Sequence, residues 1–215
     1  METLHLLPLA SSEFYFGKGQ WLDFLFSGEV TKIISSPKKV KFDLDKQLIA
    51  GGYPEAIARK KSERRETWFM QYLEALIARD FQENDQIHKI EVVEKLLKIM
   101  AQMSGQLCNT TEIGSAIGID AKTATKYISI LERMFLVRRV SQWSANNYAR
   151  VIKMPKIFFL DSGLQCNLMR INEDNLDQER KKMGHILETY VFSELLKLIS
   201  WAHKPYSIYT YRDKD

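Results

Sequence analysis

The sequence predicts a mainly α (α+β) fold, and three observations carry that prediction. Apolar residues recur at helical spacing in four long stretches, 63–81, 92–103, 109–135 and 184–201. Two short strand-like runs, 136–143 and 156–160, flank a turn-rich connection. At 215 residues with 45% apolar and 27% charged residues, the chain has enough apolar material to bury a core.

The first third is helical and aromatic. Residues 3–9 read as a strand stopped by Pro8. Ser11 or Ser12 caps a short helix through Phe16, and a second apolar helix covers 20–26. A polar connector, Ser35-Ser36-Pro37-Lys38-Lys39, follows. In Gly51-Gly52-Tyr53-Pro54-Glu55 the glycines permit unusual backbone angles, and Pro54 suits the first turn of a helix. No Gly-Lys-Ser or Gly-Lys-Thr follows, so this is not a phosphate loop. The 63–81 helix carries Trp68, Phe69, Tyr72, Leu73, Leu76 and Ile77 as a wide packing stripe and closes on Arg79-Asp80.

The centre of the chain reads as a helix, a tight turn and a second helix. Asn109 caps the first, with Glu112 at capping-box spacing. Gly118 ends it, because a helix C-terminus wants a left-handed residue. Asp120 caps the next helix, whose inner face is Ala124, Ile128, Leu131 and Phe135. Its outer face offers Lys122, Thr123, Thr125, Lys126 and Ser129, short polar and cationic groups suited to base edges and phosphates. A hairpin with Arg138, Arg139, Arg150 and Lys153 follows. Two helices alone make an ordinary helical hairpin; with a basic β-hairpin behind them they predict a winged helix-turn-helix. All of these cations are expected along one outer ridge.

Beyond Leu160, Asp161-Ser162-Gly163 marks a turn and 172–182 a charged, mobile connector. The 184–201 helix is expected to turn Ile186, Leu187, Tyr190, Val191, Leu195 and Leu198 inward. Residues 206–211 alternate as a strand with no partner strand in the sequence after it.

Charge is unevenly placed. Residues 86–160 hold eleven Lys or Arg against five Asp or Glu, and the rest of the chain holds twenty against twenty-two. A localised basic patch is a footprint for a polyanion. Cys108 and Cys166 have no metal-like or framework spacing, which suits a cytoplasmic protein. No apolar run is long enough for a membrane span, and the N-terminus lacks a basic leader.

Taken in order, several segments resemble a prokaryotic family of AAA+-like ATPases with a C-terminal winged helix and a PD-(D/E)XK nuclease-like domain. They are Leu4 to Leu9, the Gly51 to Glu55 motif, Tyr72-Leu73 through Arg79-Asp80, and Ser104-Gly105-Gln106-Leu107. The helix-turn-helix through Arg139, Pro155 to Leu164, and Gly184-His185-Ile186-Leu187-Glu188 complete the set, which covers nearly the whole chain. The resemblance implies three parts: a remnant core strand with a helical lid-like region over 1–85, a winged helix over 86–165, and an incomplete nuclease-like α/β segment over 166–215. It also implies ATP and magnesium for the longer family, with the phosphate loop lying before this stretch and a Glu-x-Asp strand after it. Glu188 matches the helix glutamate of the nuclease-like fold, and one carboxylate does not hold catalytic magnesium. Neither catalytic residue, metal nor cofactor is therefore expected for this chain alone. Arg79 is the candidate for reaching nucleotide across an interface.

Two functions follow from the sequence. The first is DNA binding through Lys122, Thr123, Thr125, Lys126, Ser129, Arg138, Arg139, Arg150 and Lys153. The second is an assembly module that docks an ATPase core, another subunit or a second copy.

Overall fold

Four helices begin at an Asp or Asn whose side chain accepts from backbone N–H groups of the first turn. Asp43 accepts from Lys46, Asn109 from Thr111 and Glu112, Asp120 from Lys122 and Thr123, and Asp161 from Leu164. Each satisfies donors that a helix start leaves orphaned. The computed structural model describes residues 6–14, 21–28, 42–80, 86–146, 150 and 152–211.

In chain order the helices before the sheet are α1 (Ser11–Phe14), α2 (Trp21–Ser27), α3 (Leu44–Ala50), α4 (Pro54–Ile57), α5 (Ser62–Asp80), α6 (Gln86–Gln102), α7 (Thr110–Ile117) and α8 (Ala121–Arg133). Strands β1 (Val137–Val140) and β2 (Lys156–Phe159) follow, then α9 (Ser162–Leu168) and α10 (Met183–Trp201). The fold is mainly helical with one small antiparallel sheet, in keeping with the predicted class. The 35–39 connector lies outside the described residues.

The sheet sits between two cores. Its register pairs Val137 with Phe159, Arg138 with Phe158, Arg139 with Ile157 and Val140 with Lys156. Strand alternation sends Val137, Ile157 and Phe159 to one face, where they join Phe69 and Ile77 of α5, Leu96 and Met100 of α6, and Ile128 and Leu131 of α8. Val140 and Phe158 leave the other face and pack on Phe192 and Leu196 of α10. A third cluster joins Leu48 and Ile49 of α3 to Cys166, Ile171 and Ile186.

Two sequence motifs meet each other. The Asp161 carboxylate accepts from the Gly52 N–H at 2.6 Å and from the Leu164 N–H at 2.8 Å. Gly51 has φ +69°, and a Cβ there would lie 2.3 Å from Asp161 Oδ1, so only glycine fits. Burial pushes the Asp161 carboxyl above the usual range, opposed by nearby Lys197 and the backbone donors. Residues 161–163, read as a turn, instead open α9, because the Asp161 side chain serves as its cap.

Other expectations are corrected in the same way. Leu6 to Leu9 form no strand; Leu9 instead bonds Gly52 through its N–H and receives Lys197 Nζ on its carbonyl. Residues 172–182 are tied down: Leu176 is buried, and Arg180 bonds both oxygens of Asp45 on α3. α10 is rotated from its predicted phase, so Leu187 and Val191 face outward. Its buried stripe includes Thr189, Ser193 and Lys197, each hydrogen-bonded: to Ser104, to the Tyr190 carbonyl, and to Glu194 and the Leu9 carbonyl. A helix packed on two sides buries polar groups that find partners, and periodicity in apolar residues alone misses them. Phe135 is 38% exposed at φ +56°, two residues past the end of α8, where it closes the helix in the left-handed conformation. Residues 206–211 form no strand; Thr210 makes an isolated parallel bridge with Gln142, with Trp143 N–H on the Thr210 carbonyl at 2.7 Å.

Candidate nucleic-acid interface

α7 and α8 are joined by Gly118, Ile119 and Asp120. Gly118 takes φ +76° and stops α7, and Asp120 at once starts α8. The Asn109 cap forms, while the Asn109 N–H bonds the Leu107 carbonyl and not Glu112. On α8, Ala124, Ile128 and Leu131 are buried. Lys122, Lys126 and Arg133 are exposed on the opposite side. Positions four and eleven residues apart fall within about 40° of one line on a helix, so the three cations form a single ridge. None of them forms an ion pair with another described residue.

The hydroxyls on this helix are turned inward on the backbone. Thr125 Oγ1 donates to the Ala121 carbonyl at 2.8 Å and Ser129 Oγ to the Thr125 carbonyl at 2.9 Å. Ser and Thr inside a helix commonly bond the preceding turn in this way. Thr123 Oγ1 donates to Asp120 Oδ2 at 2.6 Å. That bond and the first-turn N–H groups hold the Asp120 carboxyl below its usual range.

The hairpin cations do not share the ridge. Arg139 belongs to the α8 side of the sheet and is fully engaged there. Its backbone N–H meets Glu132 Oε1 at 2.7 Å, its Nε and Nη2 meet Glu132 Oε2 at 2.9 and 2.5 Å, and Nη2 also reaches Ser129 Oγ at 3.0 Å. Arg138, the next residue on the strand, leaves the opposite face. Arg150 sits over the Trp143 ring, 4.1 Å from its centre, and donates Nε to the Ser144 carbonyl. Lys153 is half-buried on the connection between the strands. The single ridge expected from sequence is thus corrected to α8 alone. Arg133, exposed and seven residues from Lys126, was missed, although its spacing marks it.

Glu188 is bonded to Lys156 Nζ at 2.8 Å, and no group of three His, Cys, Asp or Glu among the described residues is placed to hold a metal. Arg79 is exposed in the last turn of α5. A groove of about 640 Å³ between α5, α6 and the end of α9 has an apolar floor of Leu73, Ile77 and Leu97.

The stretch that contains α3 through α9, with both Gly51 and Asp161, is a recognised unit. Residues 41–175 match a family described as a domain of unknown function, DUF8612. The chain belongs to that family.

This DUF8612 chain is similar to uncharacterized proteins of Mycobacterium tuberculosis and Mycobacterium bovis, each 27% identical over 157 residues, 73% of this chain and 35% of theirs. An uncharacterized protein of Haemophilus influenzae is 21% identical over 152 residues, 68% of this chain and 36% of its own. The chain spans about a third of the length of these curated relatives. No solved structure matches it. Among the described residues of the DUF8612 chain, no helix is long and apolar enough to cross a membrane.

Proposed function

We propose that this chain is a nucleic-acid-binding unit, a winged helix that lays α8 along the phosphate backbone of duplex DNA. The supporting observation is the exposed line of Lys122, Lys126 and Arg133, beside which Arg139 neutralises Glu132. Without that pairing, a carboxylate would stand next to the ridge and repel phosphate. The Thr125 and Ser129 protons are committed to the helix itself, so binding comes mainly from phosphate contacts. Such contacts position a protein without specifying sequence. Cysteine usage puts the unit in the cytoplasm, and the resemblance puts it beside an ATP-binding core supplied by other residues. Titration of a labelled duplex at two salt concentrations tests the reading. Micromolar binding that weakens with salt supports it; salt-independent binding, or none, rejects it.

Self-association is the second reading, favoured by Leu187 and Val191, one turn apart and outward on α10. Sedimentation that depends on concentration supports it, and a monomer throughout retires it.

A further inference from the structure

We infer that Trp143, Arg150 and Tyr209, with Tyr211 beside them, form a stacking platform for unpaired bases of single-stranded nucleic acid. The Trp143 and Tyr209 rings meet edge to face at 5.4 Å, and the Arg150 guanidinium carbon lies 4.1 Å from the centre of one and 5.3 Å from the other. The parallel bridge between Gln142 and Thr210 brings the two chain segments together and sets Trp143 against Tyr209, while Tyr211 lines the neighbouring cleft with Gln142 and Thr210. Aromatic rings of this size are normally buried. Here Trp143 is 46% and Tyr211 72% exposed.

Charge selects the occupant. Residues 133–160 contain six Lys or Arg and no Asp or Glu. Of these, Arg139 is neutralised by Glu132 and Lys156 by Glu188, while Arg150 is held on the rings. Arginine on aromatic rings, in a chain segment without carboxylates, is the arrangement that binds single strands: rings take the base faces and cations take the backbone. A cleft of about 330 Å³ adjoins the platform, lined by Gln106, Gln142, Lys156, Thr210 and Tyr211. Its two amides donate to the Met154 and Gln102 carbonyls, and their oxygens are acceptors suited to the donor groups of exposed base edges. A proline-rich peptide also packs on Trp and Tyr, but it makes no use of the missing carboxylates.

The inference shares its ligand class with the α8 reading, but its ring residues and Arg150 are not part of the α8 ridge. A labelled twelve-residue oligothymidylate, followed by anisotropy and by tryptophan quenching, tests it. The full chain is expected to bind with quenching. Trp143→Leu is expected to lose the quench and about tenfold in affinity, and Tyr211→Ala to weaken binding in the same direction. Both variants are checked for an unchanged unfolding midpoint, Tyr211 being the more exposed site. Lys126→Gln is expected to leave oligothymidylate binding within twofold while weakening the duplex. No binding, binding unchanged in both ring variants, or quenching by decaproline in place of the oligonucleotide overturns the platform. Loss of duplex binding alone overturns the α8 reading and leaves the platform standing.

Discussion

Arg139 grips Glu132 across the turn from α8 into the sheet, using its backbone N–H on one carboxylate oxygen and its guanidinium on the other. The pair is mostly screened from solvent, with side chains 29% and 25% exposed. It fixes the angle between α8 and β1, and it removes a negative charge from beside the cationic ridge. Arg139→Gln is expected to cost roughly 1–2 kcal/mol in urea unfolding, since a half-buried carboxylate loses its partner. It should also weaken duplex binding, although Arg139 itself touches no phosphate in this account. Glu132→Gln should do the reverse to binding.

Gly51 and Gly118 both take positive φ, yet their tolerance should differ. An added Cβ at Gly51 meets the Asp161 carboxylate, which is itself fixed by two N–H groups, while at Gly118 nothing lies within 4 Å. Gly118→Ala is expected to cost about 1 kcal/mol, the left-handed penalty alone. Gly51→Ala should cost about 3 kcal/mol or more, because the clash adds to it. Urea midpoints at constant slope separate the two.

Arg170 occupies φ +57° just past α9, where its N–H bonds Asn167 and the next N–H reaches back to Cys166. That six-to-one closure favours glycine. Arg170→Gly is expected to stabilise the chain by about 1 kcal/mol, raising the urea midpoint.

Asp120→Ala should lower the melting temperature at neutral pH by removing the cap of α8. The Asp120 carboxyl lies below its ordinary value of 3.8 in the folded chain. Its contribution is therefore present above that value and lost as pH falls through the folded pKa. Melting curves of the two proteins should converge as the pH drops below 3.8.

The parts of the fold written in local chemistry were legible from sequence. Asn109, Gly118 and Asp120 mark their helix boundaries by side-chain and backbone preferences that act within four residues. From sequence, Asp161 reads as a turn and nothing is assigned to Asp43, whereas each caps a helix, α9 and α3. α10 was misphased because Thr189, Ser193 and Lys197 are buried by partners distant in sequence. In the candidate site, alternation already separates Arg138 from Arg139, and helix spacing already includes Arg133. The Arg139–Glu132 contact was not legible, since it depends on how the strand returns against the helix. The stacking of Arg150 on Trp143 and Tyr209 likewise required the bridge between residues 142 and 210.

The most direct test of the central claim is the salt dependence of duplex binding by Lys122→Gln/Lys126→Gln/Arg133→Gln beside the unaltered chain. If all three cations meet phosphate, the slope of log affinity against log salt should shrink by about 2.7. Equal slopes for the two proteins would contradict the claim that α8 carries the contact with nucleic acid.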